Sequence, residues 1–399
     1  MKKLLLAYSG GLDTTFCAVY LSKVLQYEVH LLTVNTGAFT SEEITQMEKR
    51  SKEMGVSSFK CIDVVDRFYH DCIKYLIFGN VLKNCTYPLS VSAERIVQAI
   101  TIAEYAKANG ISHIAHGSTG AGNDQVRFDM IFNQIMPNAV IITPIRDLKL
   151  SRDEEIVFLK EHNINYNFEK AAYSINKGIW GTSIGGEETL TSEKNIPDEA
   201  WPTPITSVEP RNITLTFTKG ELTDIDNIQI NDPVKSIQYL QEIAQPYGIG
   251  RDIHVGDTII GIKGRVGFEA AAPLITIKAH HLLEKHVLTK WQLYWKEQLA
   301  LWYGNWLHEG QMLDPVMRNL EAFMTDTQKN VTGKVFVTLH PYRFVLNGIH
   351  SEHDLMSSKF GTYGEMNNTW NGEDVKGFTK IFGQQTSIYN RINNISING

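Results

Sequence analysis

The first 165 residues alternate short apolar runs with helical stretches, and this alternation restricts the fold more than any other feature of the chain. Strands that alternate with helices form parallel sheets with helices on both faces. Ligands of such sheets bind beyond the carboxyl ends of the strands, where the strand order reverses. We therefore expect a doubly wound α/β domain with a site at that edge. The predicted strands are Lys3–Tyr8, Val29–Val34, Ser58–Val64, Ile111–His116 and Ala139–Thr143, and the predicted helices are Leu12–Leu25, Ser41–Met54, Asp66–Lys83 and Ser92–Asn109.

The rest of the chain has a different pattern. Residues 163–210 are rich in Gly, Ser, Thr, Asn and Pro, which is typical of irregular crossing segments. Two hairpin patterns follow, one turning at Gly220 and one in the run KVFVTLHPYRFVLNG, with a helical region at His280–Thr327 between them. We expect a nucleotide-binding domain at 1–165, a second α+β domain at 166–350, and a tail at 351–399 that packs on another subunit. Four tryptophans recur at helical spacing in the predicted helical region, a pattern that indicates a position in the core or at a subunit interface. They are Trp291, Trp295, Trp302 and Trp306.

Composition disfavours several classes of protein. The net charge of −6 is unfavourable for binding a phosphodiester backbone, so we predict no nucleic-acid partner. No apolar run reaches the roughly 18 residues of a membrane span, so we predict no membrane contact. The start MKKLLLAYSGG has too short an apolar stretch for a signal peptide, which predicts the first strand of a cytoplasmic protein. The scattered cysteines are expected to be buried small hydrophobes; they are Cys17, Cys61, Cys72 and Cys85.

The first motif, AYSGGLDTT, lies between a predicted strand and a predicted helix. Gly10 and Gly11 permit a tight turn, and the unpaired N–H groups at the start of the helix form an anion site. Asp13 is unusual in such a cradle, unless it is a helix N-terminal carboxylate or holds a divalent cation that bridges phosphates. The turn lacks the GxxxxGK[ST] pattern of a Walker A loop. It resembles instead the SGGxD loop of the PP-loop ATP pyrophosphatases, which split ATP between the α and β phosphates.

The second motif, HGSTGAGNDQVRFD, follows the predicted strand Ile111–His116 and so lies at the same edge of the sheet. Asn123 and Arg127 are four residues apart and share one helical face. The Arg127 guanidinium suits a carboxylate, and Asp124 can accept a hydrogen bond from an ammonium group. These groups together fit a zwitterionic amino acid. The glycines imitate a dinucleotide fingerprint only weakly, since Gln125 holds its last position.

The two motifs together resemble those of the argininosuccinate synthase family, and further agreement extends over nearly the whole chain. It includes Tyr87, Ser92 and Arg95, the runs Tyr173–Ile175 and Trp180–Ser183, and the stretch Gly261–Arg265. The resemblance implies an ATP-dependent carbon–nitrogen ligase of arginine biosynthesis. In that reaction the ureido oxygen of citrulline attacks the α-phosphorus, and the aspartate amine then displaces AMP. It also implies ATP carried with Mg²⁺ as co-substrate, no metal site of the protein itself, a homotetramer, and citrulline and aspartate binding in the second domain.

The resemblance also assigns site residues, position by position. Ser9, Asp13 and Asp124 are expected to be catalytic. Aspartate is expected at Thr119, Asn123 and Asp124. The ATP residues are Ala7, Tyr8, Ser9, Gly10, Gly11, Leu12, Asp13, Thr14, Thr15, Val34 and Gly117, and the citrulline residues are Tyr87, Ser92, Asn123, Arg127, Ser174 and Ser183.

Several of these residues have a purely structural alternative. Ser92 could be a helix N-cap, Tyr87 a core ring, and Arg127 a surface arginine. Ser174 and Ser183 could be loop serines bonded to their own backbone. Among the histidines, His113 and His116 are expected to be strand residues rather than a metal pair, and His280, His281 and His286 to lie on a helix surface or interface.

Three positions depart from the family pattern. Ala121 replaces a lysine that is common there, Gly256 replaces a glutamate that contacts citrulline, and Phe268 replaces a tyrosine that contacts citrulline. Simple divergence, a compensating residue elsewhere, or an Nα-acylated citrulline as the substrate could each explain the last two changes. Two other functions also stay open: a tRNA-modifying PP-loop ligase, and a non-catalytic adenine-nucleotide sensor.

Overall fold

A computed structural model describes residues 1–120, 122–164, 173–357, 361, 363–365 and 369–395. Ala121 lies outside the described residues, as does the predicted domain boundary at 165/166. The chain forms two compact units, Met1–Glu352 and His353–Gly399, which are described separately. In the part of the chain that is described, no helix combines the length and apolar character that a bilayer span requires.

The first unit contains the predicted parallel sheet. Its strand order is β3-β2-β1-β4-β5, and every pair is parallel. The order reverses between β1 and β4, which places the carboxyl ends of these two strands beside each other. The prediction of a doubly wound sheet is therefore confirmed. The strands are β1 (Lys3–Ala7), β2 (Glu28–Asn35), β3 (Ser58–Asp63), β4 (His113–Ala115) and β5 (Val140–Ile142).

Helices cover both faces of this sheet, and several begin at a sequence-encoded cap. Thr40 and Glu43 form a capping box, as do Ser151 and Glu154. The helix predicted to reach Lys83 ends at Phe78, since Asn80 just beyond it adopts a left-handed conformation (φ 50°). The helices are α1 (Leu12–Val19, extended by a π-turn at Tyr20–Val24), α2 (Ser41–Glu53), α3 (Val65–Phe68), α4 (Lys74–Phe78), α5 (Ser90–Ala108), α6 (Asp124–Ile135), α7 (Pro144–Leu148) and α8 (Arg152–Glu161).

Two antiparallel sheets follow in the same unit, with orders β10-β11-β7-β6 and β13-β12-β8-β9. Both predicted hairpins are confirmed, as β8–β9 and β12–β13. The irregular segment 163–210 also contributes two short strands that its composition did not predict. The strands are β6 (Ser174–Asn176), β7 (Thr182–Gly185), β8 (Arg211–Thr218), β9 (Glu221–Ile225), β10 (Arg251–Asp257), β11 (Lys263–Glu269), β12 (Gly333–His340) and β13 (Arg343–His350).

The predicted helical region is divided into separate helices. It begins before His280, and Thr289 starts a new helix through a capping box with Gln292. The exposed face of that helix carries Trp291, Trp295 and Trp302, so these three rings do not belong to the core of this unit. Their predicted role at a subunit interface stays a prediction. The helices are α9 (Pro233–Ala244), α10 (Ala271–Val287), α11 (Lys290–His308) and α12 (Pro315–Thr327).

The core of the first unit includes both faces of the parallel sheet. On β1, Leu5 packs into one buried cluster while Leu4 and Leu6 pack into the other, because successive side chains of a strand point to opposite faces. The larger cluster also contains residues of the antiparallel part, such as Leu215 and Leu283. Burial on both faces explains why β1 is continuously apolar in the sequence.

A buried polar cluster inside this core corrects one expectation. His280, predicted to be at a helix surface or interface, is fully buried, and its ring nitrogens contact Asn80 (2.7 Å) and Gln328 (2.8 Å). Beside it, Lys296 Nζ lies 2.8 Å from the Glu284 carboxylate and donates to a backbone carbonyl. Both charged side chains are fully buried. Polar groups this deep are retained because each is paired.

The predicted burial of the cysteines is confirmed only in part. Cys17 and Cys72 are buried and Cys61 is half-buried, but Cys85 is exposed. Cys85 lies in a turn with a left-handed backbone (φ 61°). All four thiols are free.

The second unit contains two amphipathic helices, α13 (Gly372–Phe382) and α14 (Gln384–Ile392). Apolar side chains on these helices are exposed, among them Phe378, Phe382 and Ile392. Its predicted packing on another subunit stays a prediction.

Candidate active site

One cavity of about 1120 Å³ lies at the carboxyl ends of β1 and β4. The loops after these two strands line it, and the first turns of α5 and α6 and the β10–β11 pair form other parts of its wall. Gly10 and Thr15 are outside the lining. Every other site residue assigned from the sequence lines the cavity: Ala7, Tyr8, Ser9, Gly11, Leu12, Asp13, Thr14, Val34, Tyr87, Ser92, Gly117, Thr119, Asn123, Asp124, Arg127, Ser174 and Ser183.

The loop after β1 has the geometry of an anion cradle. Gly10 adopts a left-handed conformation (φ 76°), and Gly11 precedes α1 without a side-chain cap. The first N–H groups of α1 therefore lack a capping side chain. The Ser9 and Thr14 hydroxyls lie 3.2 Å apart at the same place. This arrangement offers several donors to a phosphate.

The two predicted turns are in contact through Gly117. A Cβ atom on this residue would lie 3.1 Å from Thr14 Cγ2 and 3.3 Å from Thr14 N. Such distances are tighter than most contacts of a real Cβ, so a residue with a side chain would push the loops apart. The glycine thus holds the second turn against the start of α1.

A carboxyl pair lies at the α1 end of the cavity. Asp13 lines the cavity beside Arg152, and Glu155 is buried with its Oε2 atom unpartnered. Burial raises the pKa of Glu155 to about 8, with a further contribution from Asp13. Burial likewise raises the pKa of Asp13. The pair therefore retains a proton near neutral pH. Glu155 was not predicted, because only burial distinguishes it from the neighbouring acidic residues of α8.

Asp124 lies between two arginines. Its carboxylate accepts from Arg95 Nε at 3.0 Å and from Arg127 Nη1 at 2.8 Å. Burial acts to raise the pKa of Asp124, but the two guanidinium groups outweigh it and hold the pKa below its usual value. Asp124 is therefore an ionised carboxylate whose charge is fully compensated. Arg95 is tied in turn to Asn176 on β6.

Arg127 is buried, so the alternative of a surface arginine is wrong. Its Nη2 atom donates to Ser92 Oγ at 3.1 Å and to His308 Nδ1 at 3.2 Å. Ser92 lies inside α5 and also contacts His308, at 2.9 Å, so it is not an N-cap. His308, which the sequence did not indicate, lines the cavity from the last residue of α11.

The protonation of His308 follows from these contacts. A guanidinium only donates, so Nδ1 must accept, and the proton of the neutral ring is on Nε2. Burial, with help from Arg127, lowers the pKa of His308 to about 3. The ring is therefore neutral at physiological pH.

Tyr87 lines the cavity just before the start of α5. Its hydroxyl accepts from Val91 N at 3.1 Å, and its ring stacks on His254 at 5.1 Å between centroids and packs against Phe268 at 5.4 Å. The ring is buried, as its structural alternative proposed, and it also lines the cavity. Phe268 on β11 is paired with Ser183 on β7. Both Ser183 and Ser174 belong to strands, so the alternative of loop serines is wrong.

Three further residues considered in the sequence analysis are Asn123, His116 and His113. The amide oxygen of Asn123 accepts from Ile259 N at 2.7 Å, which ties the second motif to the β10–β11 turn. His116 contacts Asp129 at 2.8 Å, and His113 lies in β4 as predicted. Among the described residues there is no group of three or more His, Cys, Asp or Glu side chains placed to hold a metal ion.

Comparisons with known proteins match the same family along both parts of the chain. A family model described as arginosuccinate synthase N-terminal HUP domain matches residues 3–165, and one described as arginosuccinate synthase C-terminal domain matches residues 173–389. Three relatives bear the name argininosuccinate synthase. The protein from Dictyoglomus turgidum is 36% identical over 97% of each chain. That from Methanocaldococcus jannaschii is 35% identical over 96% of this chain and 97% of its own, and that from Xylella fastidiosa is 33% identical over 98% of each chain.

Proposed function

The chain belongs to the argininosuccinate synthase family, and we propose on this premise that it condenses citrulline with aspartate at the expense of ATP. It is a carbon–nitrogen ligase of arginine biosynthesis. The observation that carries the proposal at the level of the site is the single cavity, which is lined by a phosphate cradle and by an amino-acid-binding motif.

The chemistry balances in two displacements. The ureido oxygen of citrulline attacks the α-phosphorus of ATP, the bond to the bridging oxygen breaks, and pyrophosphate leaves. The aspartate amine then attacks the ureido carbon, AMP leaves with the former ureido oxygen, and the amine loses a proton. Adenylation is needed because the carbon of a urea is a poor electrophile. Positioning three substrates is worth roughly 7–11 kcal/mol of the barrier.

We propose the following arrangement of the substrates. The ATP phosphates, carried with Mg²⁺, lie on the loop Ser9–Thr14, and the adenine lies near Val34. Aspartate lies at Thr119, Asn123 and Asp124, on the side of the second turn. The citrulline residues are Tyr87, Ser92, Asn123, Arg127, Ser174 and Ser183. Support comes from their common cavity and from the contact between Gly117 and Thr14, which brings the phosphate and amino-acid ends together.

In this arrangement the buried charges prepare the site before substrate arrives. Arg95 and Arg127 fix Asp124 as a carboxylate, which can orient the ammonium group of aspartate. The N–H groups at the start of α1 and the Ser9 and Thr14 hydroxyls can stabilise charge that develops on the phosphates. These donors are aligned in the fold, so little reorganisation is needed during the reaction.

The alternatives considered from the sequence are not favoured. Family membership over the full length opposes a tRNA-modifying ligase and a nucleotide sensor. The relatives are named for synthesis of argininosuccinate, whose citrulline part is not acylated, so the Nα-acylated substrate is not favoured either.

We further propose a cytoplasmic homotetramer. The free thiols are consistent with a reducing compartment. Exposed tryptophans on α11 and exposed apolar side chains on α13 and α14 support contacts between subunits, since large exposed apolar patches mark interaction surfaces. Sedimentation of wild type and of Trp295→Glu tests this part. A wild-type monomer, or a variant that assembles as wild type does, would contradict it.

The test of the activity is a pyrophosphate-release assay in which each substrate is omitted in turn. Sustained release should require ATP, citrulline and aspartate together. Arg127→Lys should reduce the release strongly because one ammonium group cannot make the separate contacts of this guanidinium with Asp124, Ser92 and His308. Arg343→Lys, the same change at an exposed position on β13, serves as the matched control. Release that depends only on tRNA, or that prefers N-acetylcitrulline, would contradict the proposal.

A further inference from the structure

The wall around Tyr87 contains an imidazole that the proposed substrate arrangement leaves without a role. His254 on β10 lines the cavity, is buried, and stacks on the Tyr87 ring. Its Nδ1 atom has no hydrogen-bond partner. Because no acceptor faces Nδ1, nothing around the ring holds its proton on that atom, and Nε2 can carry it.

The strand pairing shows what His254 faces. His254 is opposite Val266, and the next pair on the same face is Gly256 with Gly264. All four residues line the cavity. Because two glycines follow the imidazole on this face, no side chain separates it from the space above them.

The imidazole extends toward Gly256, which together with Gly264 forms a surface without side chains that we call the glycine floor. A Cβ atom on Gly256 would lie 2.5 Å from His254 Nε2. The Nε2 atom thus occupies the position into which a side chain of residue 256 would project. It provides a polar atom at a point where the strand itself has none.

Charged groups of both signs lie around this atom. Arg127 and Lys83 both act on the neighbouring His308, and Lys83 also acts on His254. Asp252 acts on His254 in the opposite direction, and the carboxylate of Asp257 is paired with Lys263 at 2.5 Å. The charge of Asp124 is already compensated by two arginines. An N–H at this place needs an acceptor, and the α-carboxylate is the strongest acceptor that an amino-acid substrate offers.

Burial, together with Lys83, lowers the pKa of His254, so the ring is neutral and carries one proton. With that proton on Nε2, the ring donates one hydrogen bond across the glycine floor. Tyr87, Ser92 and Arg127, the proposed citrulline residues, line the same cavity.

We propose that His254 is a specificity-determining residue that donates a hydrogen bond from Nε2 to the α-carboxylate of citrulline. This proposal rests on the proposed function and specifies one contact within it.

The experiment compares citrulline with N-carbamoylputrescine, which is citrulline without its α-carboxylate, in the pyrophosphate-release assay. His254→Phe preserves the ring stack on Tyr87 but removes the donor. It should lower kcat/KM for citrulline by about tenfold or more, the effect expected for a lost hydrogen bond to a charged group. It should change kcat/KM for the decarboxylated analogue by less than about twofold and leave the KM for ATP unchanged. His254→Gln, which restores an N–H donor, should recover part of the loss.

A second measurement does not depend on a variant. In wild-type protein with ¹⁵N-labelled histidine, citrulline should shift the Nε2 resonance of His254, and the decarboxylated analogue should not. Equal losses for both substrates in His254→Phe, or equal shifts with both ligands, would overturn the proposal while leaving the ligase function intact. If wild-type protein releases no pyrophosphate with citrulline and aspartate, the proposed function itself fails.

Discussion

The hydroxyl of Ser92 lies 2.9 Å from Nδ1 of His308, although 216 positions separate the two residues in the chain. The contact joins the start of α5 to the end of α11, and Arg127 completes it from α6. Residues that are far apart in sequence thus fix the position of the Arg127 guanidinium, which is proposed to bind substrate.

We expect His308→Leu to raise the KM for citrulline by about tenfold, because it leaves the buried donors of Ser92 and Arg127 without an acceptor. His308→Asn, whose amide oxygen can replace Nδ1, should have a smaller effect. The KM for ATP should change little in both. Steady-state kinetics measure these effects, with His350→Leu at an exposed position of β13 as the control. An equal loss with Leu and Asn would argue against the acceptor role.

Gly117→Ala should weaken ATP binding. The added Cβ would crowd Thr14 N at 3.3 Å, and overpacking of this kind costs about 1–3 kcal/mol. Isothermal titration with a non-hydrolysable ATP analogue gives the Kd. Gly377→Ala is the matched control, since a Cβ there meets no atom within 4 Å. Unchanged affinity would mean that the two turns can separate without cost.

Glu155→Gln should alter how stability depends on pH. The folded-state pKa of Glu155, about 8, lies above the ordinary glutamate value of 4.5, so the folded protein binds this proton more tightly than the unfolded chain does. The stabilisation is complete below about pH 4.5 and is lost as the pH rises through 8. Glutamine cannot ionise and suffers no such loss. The Tm of the variant relative to wild type, measured without substrates, should therefore increase from pH 5 to pH 9.

The control for that experiment is Glu161→Gln, which changes an exposed carboxylate at the end of the same helix. Its Tm should follow wild type, because exposed charges contribute little. Parallel curves for wild type and Glu155→Gln would show that Glu155 does not hold the proton.

Lys296→Met should destabilise the protein by about 3–5 kcal/mol, because it leaves the buried Glu284 charge without its cation. Lys329→Met removes an ion pair with Asp326 at the surface, where such pairs contribute about 0–1 kcal/mol. Urea denaturation gives both free energies of unfolding. A loss for Lys296→Met no larger than that for Lys329→Met would contradict the conclusion that Lys296 compensates the buried charge of Glu284.

The sequence predicted those parts of the fold that local patterns determine. The leucines at positions 4–6 identify β1 because a strand covered on both faces must be apolar throughout. The glycines of the first motif identify the cradle because few other residues tolerate the backbone of Gly10. The two motifs identify one edge of the sheet because each follows a parallel strand.

Other features depend on contacts between distant segments, which no local pattern contains. His254 and His308 come to Tyr87 and Arg127 only through tertiary packing. His280 is part of an ordinary helical sequence, and its burial follows from Asn80 and Gln328 on other elements. Cys85 is exposed in a left-handed turn, and no local sequence pattern around it predicts that turn.

The lining of the cavity extends from Ala7 to His308. A ribosome that has translated only the parallel sheet has therefore made the phosphate loop, but not the imidazole that accepts from Arg127. A nascent chain at this stage lacks part of the cavity wall, and the cavity is complete only after the last residue of α11 has been added.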